Sequence, residues 1–226
     1  MVTGKHTDRY PLAKMAVQSW LEQDYPGPRQ LIIINDNPEP LYRQAELPTL
    51  VFEVRVDPGT PPHSLGHLRN VGITVAQGDY LIQWDDDDWS HPARLKWQVE
   101  NTKAECMSLL KYELTYALET EIRHSFVCNG RSIRCKGFPG TMLWPATNPT
   151  RFPKIGKAED TEFVLSAGDY SPIEILQNPA EYYLRFYHGG NTWSERHVMN
   201  RKPGSTDSTD TQRAYLQEVV ARYPKL

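Results

Sequence analysis

Four consecutive aspartates, Asp85 to Asp88, are the strongest chemical signal in the chain. In an extended backbone Asp85 and Asp87 project to the same side, and like charges packed there repel unless a cation or solvent compensates them. A divalent ion supplies that compensation. All-oxygen ligation favours Mg²⁺ or Mn²⁺ over zinc, and ions of this kind commonly share their coordination with substrate phosphates. The competing reading is a solvated acidic turn, while an EF-hand is excluded because its glycine and distal glutamate are missing. Asp36, the Glu159-Asp160 pair and His188 are further candidates, each with a structural alternative: a turn residue, acids complementing a helix N-terminus, and a structural histidine. His188 is followed by Gly189 and Gly190, which allow backbone or ligand to approach closely.

The elements that carry these residues can be read from hydrophobic spacing. From Pro11 the positions Leu12, Met15, Ala16 and Trp20 recur at helical spacing, with Asp8 as cap, and the helix ends before Tyr25-Pro26-Gly27-Pro28. Leu31 to Ile34 is an all-apolar run of the kind found in buried parallel strands. Val51 to Val56 alternates as a strand, Leu65, Leu68, Gly72, Val75 and Ala76 mark one face of a helix ending at Gly78, and Tyr80 to Trp84 forms a strand that runs into the aspartates. A helix restarts near Pro92 with Leu95 and Val99 inward. This strand-helix alternation predicts a parallel, doubly wound sheet, in which ligands bind outside the carboxyl ends of strands. That rule puts Asp36 and Asp87 on one rim.

After residue 100 the pattern changes to short strands at Cys106 to Leu110, Ile122 to Cys128, Ile133 to Cys135 and Thr141 to Trp144, an antiparallel extension. A helix from Glu159-Asp160 and strands at Ile173 to Leu176 and Tyr182 to Tyr187 complete the body. Lys202 to Asp210 reads as a linker and Thr211 to Tyr223 as a terminal helix.

Composition narrows the function classes. A formal charge of -3 lacks the basic excess that phosphate-backbone binding needs, so no nucleic-acid partner is expected. No apolar run approaches the roughly 20 residues of a membrane helix, and no signal pattern opens the chain. Three cysteines, Cys106, Cys128 and Cys135, are an odd number without metal-ligand spacing; free thiols and a cytoplasmic location are expected.

Taken together and in order, several segments resemble the family 2 glycosyltransferases of the GT-A fold. They are the Thr3-Gly4-Lys5 loop with the helix ending in QSWLEQDYPG, the strand LIIIND, the block LGHLRNVGITVAQGDYLIQWDDDDWSHPARL, KAEDTEF and HGGNT, spanning roughly residues 1 to 195. The resemblance implies an α/β nucleotide-diphospho-sugar transferase fold: a Rossmann-like mixed sheet flanked by helices, with a small antiparallel extension. Residues 1–200 would form the GT-A domain, 1–100 its nucleotide-sugar half and 101–200 its acceptor half, leaving 201–226 as linker and helix.

The same resemblance assigns roles. Asp36 binds the nucleotide base beside Thr3, Gly4 and Lys5, and Arg69, Asn70, Asp85 and Asp86 lie on the donor side. Asp87 and Asp85 are the outer members of the Asp-x-Asp motif, with Asp87 and His188 completing the shell of Mn²⁺ or Mg²⁺. Asp160 is the catalytic base of an inverting transfer and Glu159 its neighbour. The implied partners are a nucleotide-sugar donor, UDP-linked by family frequency, and a saccharide or glycoconjugate acceptor.

This sequence departs from the pattern in its almost absent first strand, in Asn35 where two adjacent acids are common, and in lacking the Gln-x-x-Arg-Trp motif of processive synthases. The last departure implies addition of single sugars. A sugar nucleotidyltransferase needs an early phosphate loop that residues 3–8 do not supply, and a catalytically silent carbohydrate- or protein-binding module is the remaining alternative. Tyr112, Trp144, Tyr182 and Trp193 are candidates for sugar stacking, although aromatics at strand spacing are more often core.

Overall fold

The computed structural model describes residues 1–4, 9–57, 63–130, 135–155, 157–201 and 203–222. The first half runs β1 (Val2–Thr3), α1 (Tyr10–Leu21), β2 (Leu31–Asn35), β3 (Val51–Arg55), α2 (Leu65–Val75), β4 (Tyr80–Ile82), β5 (Trp89–Ser90) and α3 (Arg94–Asn101). The second half runs β6 (Met107–Leu110), β7 (Tyr112–Ala117), β8 (Phe126–Asn129), β9 (Phe138–Pro145), α4 (Glu159–Ala167), β10 (Ile173–Leu176), β11 (Tyr183–Tyr187), α5 (Glu195–Val198), β12 (Thr206–Asp207) and α6 (Asp210–Val220). Helices and mixed sheets thus form the α/β architecture expected of a GT-A fold.

Three sheets carry the strands. β1, β2 and β3 are parallel in that order; β10, β6, β9 and β4 form a mixed sheet; β12, β8, β7, β11 and β5 form a third. β4 therefore pairs with β9 rather than joining the first sheet, and β1 and β4 face a common cleft of about 1020 Å³. β1 is short but supported: Val2 pairs with Ile34 and Thr3 with Asn35.

α1 buries Ala13, Ala16, Val17 and Trp20 against Ile33 and Trp84, and Leu12 on its other side against Trp89 and Leu114. The expected cap Asp8 lies outside the described residues. Three features differ from the sequence expectation. β7 was not anticipated, although Tyr112, Leu114 and Tyr116 alternate with Glu113 and Thr115 at strand spacing; the chain buries both polar residues, and Arg185 on β11 lies 3.6 Å from Glu113. Residues 122–124 form a 3₁₀ turn instead of opening a strand, so β8 starts at Phe126. Thr206 and Asp207, within the expected linker, pair with Val127 and Phe126 of β8. The strand expected at Ile133 to Cys135 falls largely outside the described residues.

α6 is packed into the body. Thr209 caps it with a reciprocal capping box to Gln212, and Leu216 and Val219 bury against Leu12, Trp89, Leu114 and Phe186. All three cysteines are buried, and none forms a disulfide among the described residues. Among the described residues no helix is long and apolar enough to cross a membrane.

Candidate active site

The carboxyl end of β2 forms one wall of the cleft. Gly4, at φ +114°, lies so close to the turn after β2 that a Cβ would sit 1.9 Å from Asn35 Oδ1 and 2.9 Å from the Asp36 nitrogen. Asp36 donates its N–H to the Thr3 carbonyl at 3.3 Å and lines the cleft with Thr3 and Gly4. Lys5 lies outside the described residues. Asn35, fully buried, donates to Glu53 Oε1 at 2.7 Å and to the Tyr10 hydroxyl at 3.1 Å. Glu53 also accepts from the Leu41 amide at 2.9 Å. An amide at position 35 thus satisfies a carboxylate that a second acid would repel, which explains the departure noted above.

The acidic run departs from ideal alternation, because the backbone bends at residues 86–87. Asp86 and Asp87, rather than Asp85 and Asp87, share a partner: Arg9 Nη2 lies 2.7 Å from Asp86 Oδ1 and 3.0 Å from Asp87 Oδ2. His188 Nε2 at 3.2 Å and Asn191 Nδ2 at 3.3 Å reach the same Asp87 oxygen. Asp85 turns the other way, to Arg69 Nη2 at 3.3 Å and Gln83 Nε2 at 3.0 Å, and a Cβ on Gly140 would stand 2.9 Å from its Oδ2. Asp88 is structural, accepting from the Tyr183 hydroxyl at 2.6 Å and the Phe186 amide at 3.0 Å. It therefore ties the run to β11, whose end delivers His188.

Burial sets the protonation of this cluster. It pushes the Asp86 carboxyl up to about 6 against the opposing charge of Arg9, and pushes Asp85 up against Arg69. Burial also acts upward on Asp87, but the His188 hydrogen bond and Arg9 outweigh it and hold that carboxyl below its ordinary range. Asp87 is thus the most strongly anionic position beside His188.

α4 forms the opposite wall. Its cap Ala158 adopts the left-handed conformation at φ 60°, presenting Glu159 and Asp160 in the first turn. Glu159 turns inward, 4% exposed, and pairs with Arg69 Nη1 at 2.7 Å. Burial pushes its carboxyl up and Arg69 opposes the rise. Asp160 lines the cleft and accepts the Thr161 amide at 2.6 Å. Asn70 exchanges two hydrogen bonds of 2.8 Å with the Phe152 backbone, fastening α2 to the segment before α4. Arg69 and Asn70 thus both brace the cleft.

Of the aromatic candidates, Trp144 and Trp193 line the cleft, but Trp144 is core, packed on Phe163 at 5.1 Å. Tyr182 stacks on His91 and the Tyr112 hydroxyl meets Gln177. Sequence reasoning missed Arg9, which only tertiary structure brings to Asp86, and Asn191, although it lies in the HGGNT stretch already singled out.

Among the described residues no three His, Cys, Asp or Glu side chains converge as a formed ion site. Asp87 and His188 adjoin, whereas Asp85 stands apart from them with Arg69. The Asp86 and Asp87 carboxylates and the His188 imidazole have the donor chemistry of a Mg²⁺ or Mn²⁺ site, with Arg9 supplying the positive charge in this arrangement. The residues fit such an ion once that guanidinium moves.

The fold is similar to that of S. aureus TarS, a GT-A glycosyltransferase. The TarS 1-349 structure matches with TM-score 0.60 and 17% identity, over 82% of this chain and 58% of that one. Its complex with UDP-GlcNAc matches with TM-score 0.62 and 16% identity, over 98% and 64%, and its UDP complex with 0.59 and 17%, over 83% and 59%. The chain thus spans about six tenths of the TarS 1-349 chain. No curated protein sequence matches it. The sequence model of glycosyl transferase family 2 matches residues 8–134, more than half of the chain, and the chain belongs to that family.

Proposed function

We propose that this protein transfers single sugars from a nucleoside-diphosphate sugar to an acceptor hydroxyl, with inversion at the anomeric carbon. The observation that carries the reading is that Asp36, Asp85 to Asp87 and Asp160, on three different segments, line one cleft. UDP is the proposed nucleotide, supported by the TarS complexes with UDP and UDP-GlcNAc, and the sugar is a hexose or N-acetylhexosamine. The acceptor is a saccharide or glycoconjugate.

Asp36 accepts hydrogen bonds from the base, and the close approach of Gly4 to Asn35 and the Asp36 backbone holds the turn that carries it. Asp160 removes the proton from the acceptor hydroxyl as its oxygen attacks the anomeric carbon and the bond to the diphosphate breaks. Arg69 neutralises Glu159, so that of the pair Asp160 keeps the basic role. Asp87 and His188 would hold Mn²⁺ or Mg²⁺, with Asp85 and Asp86 beside them; when bound, the ion stabilises charge on the departing diphosphate.

Calorimetric titration with UDP, with and without Mn²⁺, tests the donor site. Asp36→Ala should lose affinity even with excess ion, and Asp87→Ala should lose the ion-dependent part of the affinity. Parental binding by both variants would overturn the assignment. Hydrolysis of a UDP-sugar by the parent separates an enzyme from a binding module.

A further inference from the structure

Arg9 is a charged group in the cleft that the proposed reaction does not use. Its Nη2 bridges carboxylates of two consecutive residues, Asp86 at 2.7 Å and Asp87 at 3.0 Å, while Nη1 reaches the Gly190 carbonyl at 3.3 Å. A single nitrogen bridging two carboxylates imitates a small cation and forgoes the parallel fork that guanidinium makes with one carboxylate. Its Nε is buried without a hydrogen-bond partner among the described residues. The Asp87 oxygen it contacts also faces His188 and Asn191, so a divalent ion on Asp87 and His188 must take the place of the guanidinium.

We infer that Arg9 is an exchangeable counter-ion: it neutralises Asp86 and Asp87, a divalent cation displaces it, and the released guanidinium pairs with the donor diphosphate. This rests on the ion site of the proposed function. Arg9 stands at the start of the twelve-residue helix α1, beside the loop at Gly4, within the cleft the donor would enter. Phosphate oxygens are the anions that a planar guanidinium pairs with best. Exchange keeps the cleft's charge balanced as the doubly charged ion and the anionic donor enter.

The test measures Mn²⁺ binding to the full chain without nucleotide, by the electron paramagnetic resonance of free Mn²⁺, for the parent, Arg9→Gln, Arg9→Lys and Asp87→Asn. Arg9→Gln is expected to bind Mn²⁺ at least tenfold more tightly and, with Mn²⁺ saturating, UDP at least tenfold more weakly. Arg9→Lys, which keeps a positive charge for folding, is expected between parent and Arg9→Gln in both measurements and decides the matter if Arg9→Gln does not fold. Mn²⁺ affinity equal to or below the parent's in the folded Arg9 variants, with Asp87→Asn losing the ion, would overturn the exchange and leave the ion site standing. Unchanged UDP affinity in those variants would overturn the transfer of Arg9 to the donor. Parental Mn²⁺ binding by Asp87→Asn, or no saturable binding by the parent, would remove the ion site and the inference with it.

Discussion

Arg9 and Arg69 reach the acidic run from opposite ends of the cleft, and they differ in how they are held. Arg69 lies on α2, which Asn70 fastens to Phe152 and which packs so closely that a Cβ on Gly66 would stand 2.0 Å from the Pro153 carbonyl. Its guanidinium joins Asp85 to the buried Glu159 and lies 5.4 Å from the Phe152 ring. Arg9 precedes α1 and its side chain is more exposed, 23% against 13%. One arginine is built into the scaffold, and the other bridges two carboxylates from the start of a helix. The contrast divides the cleft into a braced half around Asp160 and an exchangeable half around Asp87, so chemistry and donor loading should fail separately.

The largest expected effect lies on the braced half. Asp160→Asn keeps the shape and can still accept the Thr161 amide, but it cannot take a proton, so transfer should fall about 10²- to 10⁴-fold. UDP affinity and Tm should remain parental, because the base acts on the acceptor. Transfer rates measured alongside calorimetry decide this: lost UDP binding would move Asp160 into the donor half and break the division.

Next is Arg69→Gln, which strands Glu159 as an unpaired buried carboxylate. Removing one member of a buried pair costs about 3 kcal/mol, which for a chain of this length lowers Tm by roughly 6 to 12 °C. Burial already pushes the Glu159 carboxyl up and Arg69 opposes the rise, so the variant should push it further. A carboxyl raised in the folded state binds its proton more tightly there than in the unfolded chain. Stability therefore falls as pH rises from the ordinary carboxylate range through the raised value. The Tm deficit of Arg69→Gln should thus shrink on acidification toward pH 5 and persist when Mn²⁺ is added, whereas Mn²⁺ should restore any deficit of Arg9→Gln. Identical responses of the two variants to pH and Mn²⁺ would erase the comparison.

Asn35→Asp probes the support behind the exchangeable half. The substitution replaces a donor 2.7 Å from Glu53 with a second carboxylate and weakens the tie to Tyr10 at the start of α1. Leaving buried polar groups unsatisfied in this way costs about 2 kcal/mol, readable as a fall in Tm. Pairing with Glu53→Gln should recover most of it, and an additive double variant would show that the two side chains do not interact.

How much of this was legible follows from what each residue needs. Asp36, the acidic run and Asp160 were singled out at the ends of expected elements and through the resemblance to family 2 glycosyltransferases, and all of them line the one cleft. β7 was not, although Tyr112, Leu114 and Tyr116 alternate with Glu113 and Thr115 as a strand should; what the alternation does not reveal is that both polar residues are buried as well. Nor could spacing reveal that Asp86 and Asp87 share one guanidinium: the bend at 86–87 and Arg9, 77 residues from Asp86 in sequence, are tertiary facts. The break between β1 and β4 was equally hidden, because β4 reads the same whether its partner is parallel β1 or antiparallel β9. Asn70 matched a donor-side segment by resemblance, yet its side chain is occupied by a backbone that the sequence alone does not bring near it.

Asn70→Ala carries the smallest expected effect and sharpens the division most finely. Its two hydrogen bonds to Phe152 close a link across 82 residues, and their loss leaves a backbone N–H and carbonyl without partners. Each such bond contributes about 1 kcal/mol net, so the loss should be about 1 to 2 kcal/mol. Because α2 carries Arg69, loosening it should let Glu159 and Asp160 drift, and a small misplacement of a general base lowers the rate far more than it lowers binding. Transfer should therefore fall several-fold while UDP and Mn²⁺ affinities stay parental. A fall in UDP affinity without loss of Tm would instead place Asn70 in direct contact with the donor, and the boundary between the two halves would then run through α2.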